Sequence, residues 1–114
     1  MGQGAIPARN KGNNMSQVDV QPKINTDLAE PPMYRVIYMN DDKTTAEFVM
    51  TTLIDFFDYS VDRAEKTVWD IHEAGSAVVA VMPYEIAEQK GVEITVLARK
   101  EGHPLQIKLE PDVL

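Results

Sequence analysis

Asn40, Asp41 and Asp42 stand side by side where the strand-like run MYRVIYM stops and a helix begins within a few residues. Two adjacent ionised carboxylates destabilise a turn unless a cation lies between them. The Asn40 carbonyl adds a further acceptor, which makes an oxygen-rich nest suited to an ammonium group with three N–H donors. The plainer reading is a turn with capping residues. His72, in VWDIHEAG, is the second candidate. It shares a helical face with Val68 and Ile71 at i, i+3 and i+4, although a histidine near a helix end equally serves the helix dipole. His103, in EGHP, reads as a surface loop residue. Trp69 and Glu73 fall on adjacent faces, to meet a partner or only solvent.

Other chemistries fit less well. An oxygen cluster can hold Ca²⁺ or Mg²⁺, but the alternating ligands and glycine of an EF-hand loop are missing. No HExxH pattern offers zinc ligands, and the chain has no cysteine for a thiolate site or a disulfide. Ser60 and Ser76 lie in no nucleophile motif, no P-loop is present, and adjacent aspartates lack the separation of an acid/base pair. The expectation is a binding protein rather than an enzyme, without metal or cofactor.

These residues need positioning elements. MYRVIYM (33–39) is rich in β-branched and aromatic residues and predicts a strand. Thr44 to Glu47 matches a capping box, with Thr44 as N-cap, which leaves Asp41 and Asp42 no necessary backbone task. Ala46, Val49, Met50, Leu53, Ile54 and Phe57 then form one helical stripe. Ser60 predicts the cap of a second helix, with Val61, Ala64, Val68 and Ile71 inward and Gly75 at its end. SAVVAVM (76–82) predicts a strand apolar enough to be covered on both faces. Pro83 opens a third helix to about Lys100, with Ile86, Ile94, Leu97 and Ala98 inward and Gly91 as a close contact or a weak point. PLQIKLE (104–110) alternates as a half-buried strand. The order is β-α-α-β-α-β, an α+β domain in which a three-stranded sheet packs against three helices.

Composition sets the remaining bounds. The 114 residues allow one domain. A net charge of −7 argues against nucleic acid or an anionic membrane and favours cationic ligands or basic partner surfaces. No apolar run is long enough to span a bilayer and no secretory h-region opens the chain, so the expected place is the cytoplasm. Residues 1–30 are polar and read as a flexible extension ahead of a folded 31–114. Met15 offers a second start, so residues 1–14 read as vector-derived or upstream-frame sequence. A monomer is expected.

NDDKTTAEFV, followed in order by VDRAEKTVWDIHEAGSAVVAV, YEIAEQK and HPL, resembles the ClpS family, adaptors of the Clp protease, over about residues 33–110. The resemblance implies a protein that carries N-degron substrates, whose first residue is Phe, Tyr, Trp or Leu, to an unfoldase of the ClpA or ClpC type, in the cytoplasm or in a plastid stroma. It implies that Asn40, Asp41 and His72 hold the substrate's free α-amino group, with Asp42 near the N-terminal backbone. The wall of the side-chain pocket is then Thr44, Ala46, Val49, Val68, Ile71 and Leu105; taken one at a time, these are ordinary core residues. Glu85 and Lys90 match the charged residues that dock on the unfoldase N-terminal domain. Ala46 and Val68 depart from the family pattern, which often has methionine at both places, so the pocket is expected to be wider. The alternative is a regulatory module that docks on the unfoldase with altered or lost N-degron selectivity. Neutral His72 accepts a hydrogen bond and protonated His72 repels an ammonium, so binding is expected to weaken in acid.

Overall fold

Alternation along the first strand decides which face of the sheet is covered. A computed structural model describes residues 31–113, and the expectations for residues 1–30 lie outside them. In β1 (Met33–Met39), Val36 and Tyr38 are fully buried on the helix side. The chain continues through α1 (Ala46–Phe57), α2 (Val61–Ala74), β2 (Ser76–Pro83), α3 (Tyr84–Lys100) and β3 (Gln106–Pro111). β1 is central: the strand order is β2-β1-β3, with both pairings antiparallel. The fold is the expected α+β arrangement of three strands and three helices. Its core joins Val36 and Tyr38 to Leu53, Ala64, Ile71, Val79, Ala87, Ile94 and Leu105.

Local chemistry explains each boundary. Ser60 caps α2 by accepting from the Arg63 amide at 3.1 Å, and Gly75 ends it at φ 90°, a left-handed conformation that glycine adopts without steric cost. α1 ends at Asp58, also left-handed at φ 58°. The α1 cap corrects the expectation: Thr45, not Thr44, is the N-cap, accepting from the Phe48 amide at 3.1 Å. Thr44 fits the capping-box pattern, but Asp41 has already taken its amide and its hydroxyl.

Two further expectations change. The inward stripe of α3 runs through Ala87, Gly91, Ile94 and Ala98, at spacings of four, three and four, while Ile86 is 47% exposed. A Cβ on Gly91 would meet Ile107 Cγ2 at 3.9 Å, ordinary contact rather than a close approach. β2 is an edge strand and is not covered on both faces: Val78 and Val81 are 48% and 44% exposed. A bulge breaks its alternation, since Val36 pairs with Ala80 and Ile37 with Val78, which leaves Val79 as an extra residue. Ala77, Val79, Ala80 and Met82 therefore pack inward, and a run that reads as uniformly apolar still has a solvent face.

Candidate functional site

The turn between β1 and α1 is organised by one carboxylate. Asp41 Oδ1 accepts from the amides of Lys43, at 2.8 Å, and Thr44, at 2.6 Å, and Oδ2 accepts from the Thr44 hydroxyl at 2.7 Å. Asp41 thus has a backbone task after all. Burial pushes its carboxyl up, but these three hydrogen bonds and the nearby charge of His103 outweigh it and hold the group below the usual aspartate range. A carboxylate has about four acceptor positions, so roughly one stays open once the turn is made. Asp42, next along, is exposed.

The far side of the turn is tied to α2. The Asn40 amide donates to the Gly75 carbonyl at 2.9 Å, which brings the end of β1 against the end of the helix that carries His72. Below, the Tyr38 hydroxyl meets Thr52 Oγ1 at 2.8 Å, and Thr52 donates on to the Val49 carbonyl, also at 2.8 Å. This buried chain fixes α1 on β1 and with it the height of Val49. Burial raises the Tyr38 hydroxyl well above its ordinary pKa, although its bond to Thr52 works the other way.

Between α1, α2 and the turn lies a cavity of about 260 Å³. Asn40, Asp41 and His72 give it polar edges, and Thr44, Ala46, Val49, Val68 and Ile71 supply much of the remaining wall. Val49 and Ile71, at 7% and 5% exposure, form its floor. Two expected members lie elsewhere. Asp42 does not line the cavity, and Leu105, 1% exposed, belongs to the core, because the chain entering β3 turns it inward. One residue is added: Trp69 lines the mouth at 61% exposure, its ring 5.8 Å from that of His72. Its position three residues before His72 was the available signal. His103 is not a free loop residue either. Its ring packs 4.5 Å from that of Phe48, and Arg99 holds its loop by donating to the carbonyls of His103 and Leu105.

A cavity with acceptors at its rim and hydrocarbon at its base suits a molecule with a cationic head and an apolar body. Comparison with known proteins gives this a family. The profile described as "ATP-dependent Clp protease adaptor protein ClpS" matches residues 29–108. The chain belongs to the ClpS family. Members of that family are adaptors rather than enzymes. It is 43% identical over 83 residues to the ATP-dependent Clp protease adapter protein ClpS of Cronobacter sakazakii, covering 73% of this chain and 78% of that one. The adapter protein ClpS of Campylobacter jejuni subsp. jejuni (strain 81-176) is 38% identical over 87 residues, covering 76% of this chain and 91% of its own. Among solved structures, Agrobacterium tumefaciens ClpS2 bound to L-phenylalaninamide is similar with a TM-score of 0.70 and 40% identity, over 73% of this chain and all of that one.

Proposed function

We propose that this ClpS-family chain binds proteins by their first residue and delivers them to an unfoldase of the ClpA or ClpC type. In this reading Asn40, Asp41 and His72 accept hydrogen bonds from the substrate's α-ammonium, and Asp42 stands outside, near the backbone that follows. A Phe, Tyr, Trp or Leu side chain enters between Thr44, Ala46, Val49, Val68 and Ile71, with Leu105 supporting this wall only from the core. The observation that carries the proposal is the single cavity edged by Asn40, Asp41 and His72 and floored by Val49 and Ile71. Burying a benzyl or isobutyl group there is worth about 1.5–3 kcal/mol. An acetylated amine brings no charge and too few donors, so the acceptors would go unpaired. L-phenylalaninamide has a free α-amine, a benzyl group and an amide in place of the next peptide bond, which makes it a chemical stand-in for a chain's first residue. Its presence on the Agrobacterium relative supports the same use here.

Docking on the unfoldase falls to the start of α3, where Glu85 is exposed in the first turn and the Lys90 ammonium lies 5.9 Å from the centre of the Phe57 ring. The working compartment is the one that holds that unfoldase, the cytoplasm or a stroma. Fluorescence anisotropy of a Phe-initiated peptide and its acetylated twin tests the proposal. The free amine should bind at least tenfold tighter, the worth of about one charged hydrogen bond. Equal binding removes the amine-binding role, and binding of neither, with unfoldase docking intact, leaves a docking module. Ala46→Met should change the rank order of Phe, Tyr, Trp and Leu; an unchanged order denies that the small residue sets selectivity.

A further inference from the structure

A large apolar side chain stands at the mouth of the candidate cavity and takes no part in the core. Trp69, the only tryptophan of the chain, is 61% exposed, yet it lines the cavity together with Val49, Val68 and Ile71. Its ring centre lies 5.8 Å from that of His72 at an interplanar angle of 44°, which sets the indole beside the polar edge. On the α1 side of the mouth, Ala46 is exposed and ends in a methyl. Ala46, Val68 and Trp69 also line a neighbouring depression of about 520 Å³, so these three side chains divide the two spaces. Of the three, only Trp69 is long enough to reach over the mouth. The apolar lining is otherwise aliphatic: among the described residues, Trp69 is the one benzenoid ring at the cavity.

Resting on the first-residue reading above, we infer that Trp69 is a specificity-determining residue, whose indole closes over the first side chain of the bound protein and favours an aromatic ring there over leucine. The floor of Val49 and Ile71 rewards any hydrocarbon, because transfer out of water follows the area buried and is not directional. Discrimination between a ring and a branched chain falls to the mouth. Aromatic pairs in edge-to-face or offset-stacked contact gain beyond their burial, by an amount that corresponds to a several-fold change in affinity. An exposed side chain changes rotamer within picoseconds to nanoseconds, so the indole is free to settle on an occupant. The Ala46 methyl leaves it the space to do so. Leucine in the same cavity meets the indole as hydrocarbon only and forfeits the ring contact.

The test uses the full chain and peptides free of Trp and Tyr after a first residue of Phe or Leu, with an acetylated Phe peptide as control. Saturation with the unlabelled Phe peptide should shift the tryptophan emission, which is that of Trp69 alone, to shorter wavelength. Affinities then come from anisotropy of the same peptides labelled at their far end. Trp69→Leu keeps an apolar cover without a ring and should lower the ratio of Phe to Leu affinity about fivefold, whereas Trp69→Phe should hold it within about twofold of the parent. Because the ratio is taken within one variant, a general loss of folded protein cancels from it. Unchanged emission while anisotropy reports binding, a ratio that survives Trp69→Leu, or a Trp69→Phe ratio as low as that of Trp69→Leu each overturns the role of the indole and leaves the first-residue reading standing. A Phe peptide that binds no better than its acetylated twin overturns both.

Discussion

Asp41 builds its turn before any ligand arrives, because three of its acceptor positions are committed to Lys43 and Thr44. That commitment has a pH signature. A carboxyl whose folded pKa is depressed adds stability above the unfolded value, about 3.9, and loses it as the pH falls through the folded value. Asp41→Asn keeps one Asx oxygen and loses the charge and the second acceptor. Its stability deficit at pH near 7, measured by urea unfolding, should therefore shrink as the pH falls through the folded value, where the parent carboxyl takes up its own proton. A deficit that stays constant would deny the charge any part in the turn. The same carboxylate explains where the sequence misleads. Thr44-x-x-Glu47 satisfies the capping-box pattern, and nothing in that pattern registers that a side chain three residues earlier takes Thr44's donors first. Trp69 is left between a partner and solvent for a related reason: periodicity places it beside the His72 face but cannot report that a cavity mouth is there.

At the scale of elements, the link between α1 and β1 is a short buried relay, with the Tyr38 hydroxyl donating to Thr52, which donates to the Val49 carbonyl. Its two ends are not equivalent. Tyr38→Phe removes a donor and leaves Thr52 still bonded, at a cost of about 1 kcal/mol, whereas Thr52→Val strands a buried phenol, at about 1–3 kcal/mol. Chemical denaturation should rank Thr52→Val as the more destabilised, and the reverse order would contradict the relay. α3 yields an opposite sign. Gly91 has helical neighbours and room for a methyl against Ile107, so Gly91→Ala should stabilise by about 0.5–1 kcal/mol, read as a higher midpoint in urea. Here the sequence gives the helix but not its face. Ile86 looks inward because it is large and apolar, yet the stripe that meets the sheet is built on the small residues Ala87, Gly91 and Ala98 around Ile94. In β2 the error is one of period: six apolar residues carry no marker for the extra residue at Val79.

Across the whole molecule, the two ends of β1 divide the surface. Asn40 follows its last residue, while Met33, its first, pairs with Pro83 just before α3 begins. Seven residues of strand separate these ends by about 20 Å. The proposed amine site and the proposed unfoldase contact thus lie at opposite ends of the sheet. Glu85→Lys should abolish binding to the unfoldase N-terminal domain and leave Phe-peptide affinity within about twofold, both measured by anisotropy. A parallel loss of peptide affinity would mean that the two surfaces are not separate. The order of elements is legible from hydrophobic spacing alone, because each segment satisfies only one period. Which strand lies at the edge is not legible, since that depends on pairings between segments far apart in the chain, from Met39 with Ser76 to Tyr34 with Pro111.

The bulge in β2 has a use that its irregularity conceals. The carbonyl of Val79 accepts a 2.6 Å hydrogen bond from the Tyr59 hydroxyl, at the corner where α1 gives way to α2. Removing Val79 would leave Ser76-Ala77-Val78-Ala80-Val81-Met82, a strand of unbroken alternation that could still zip onto its neighbour. The damage would surface elsewhere, in the helical elbow that had lost this stitch to the sheet. Amide exchange around residues 57–62 should quicken in such a deletion while the β1 amides stay slow, which would mark the spare rung as a tether and not a flaw.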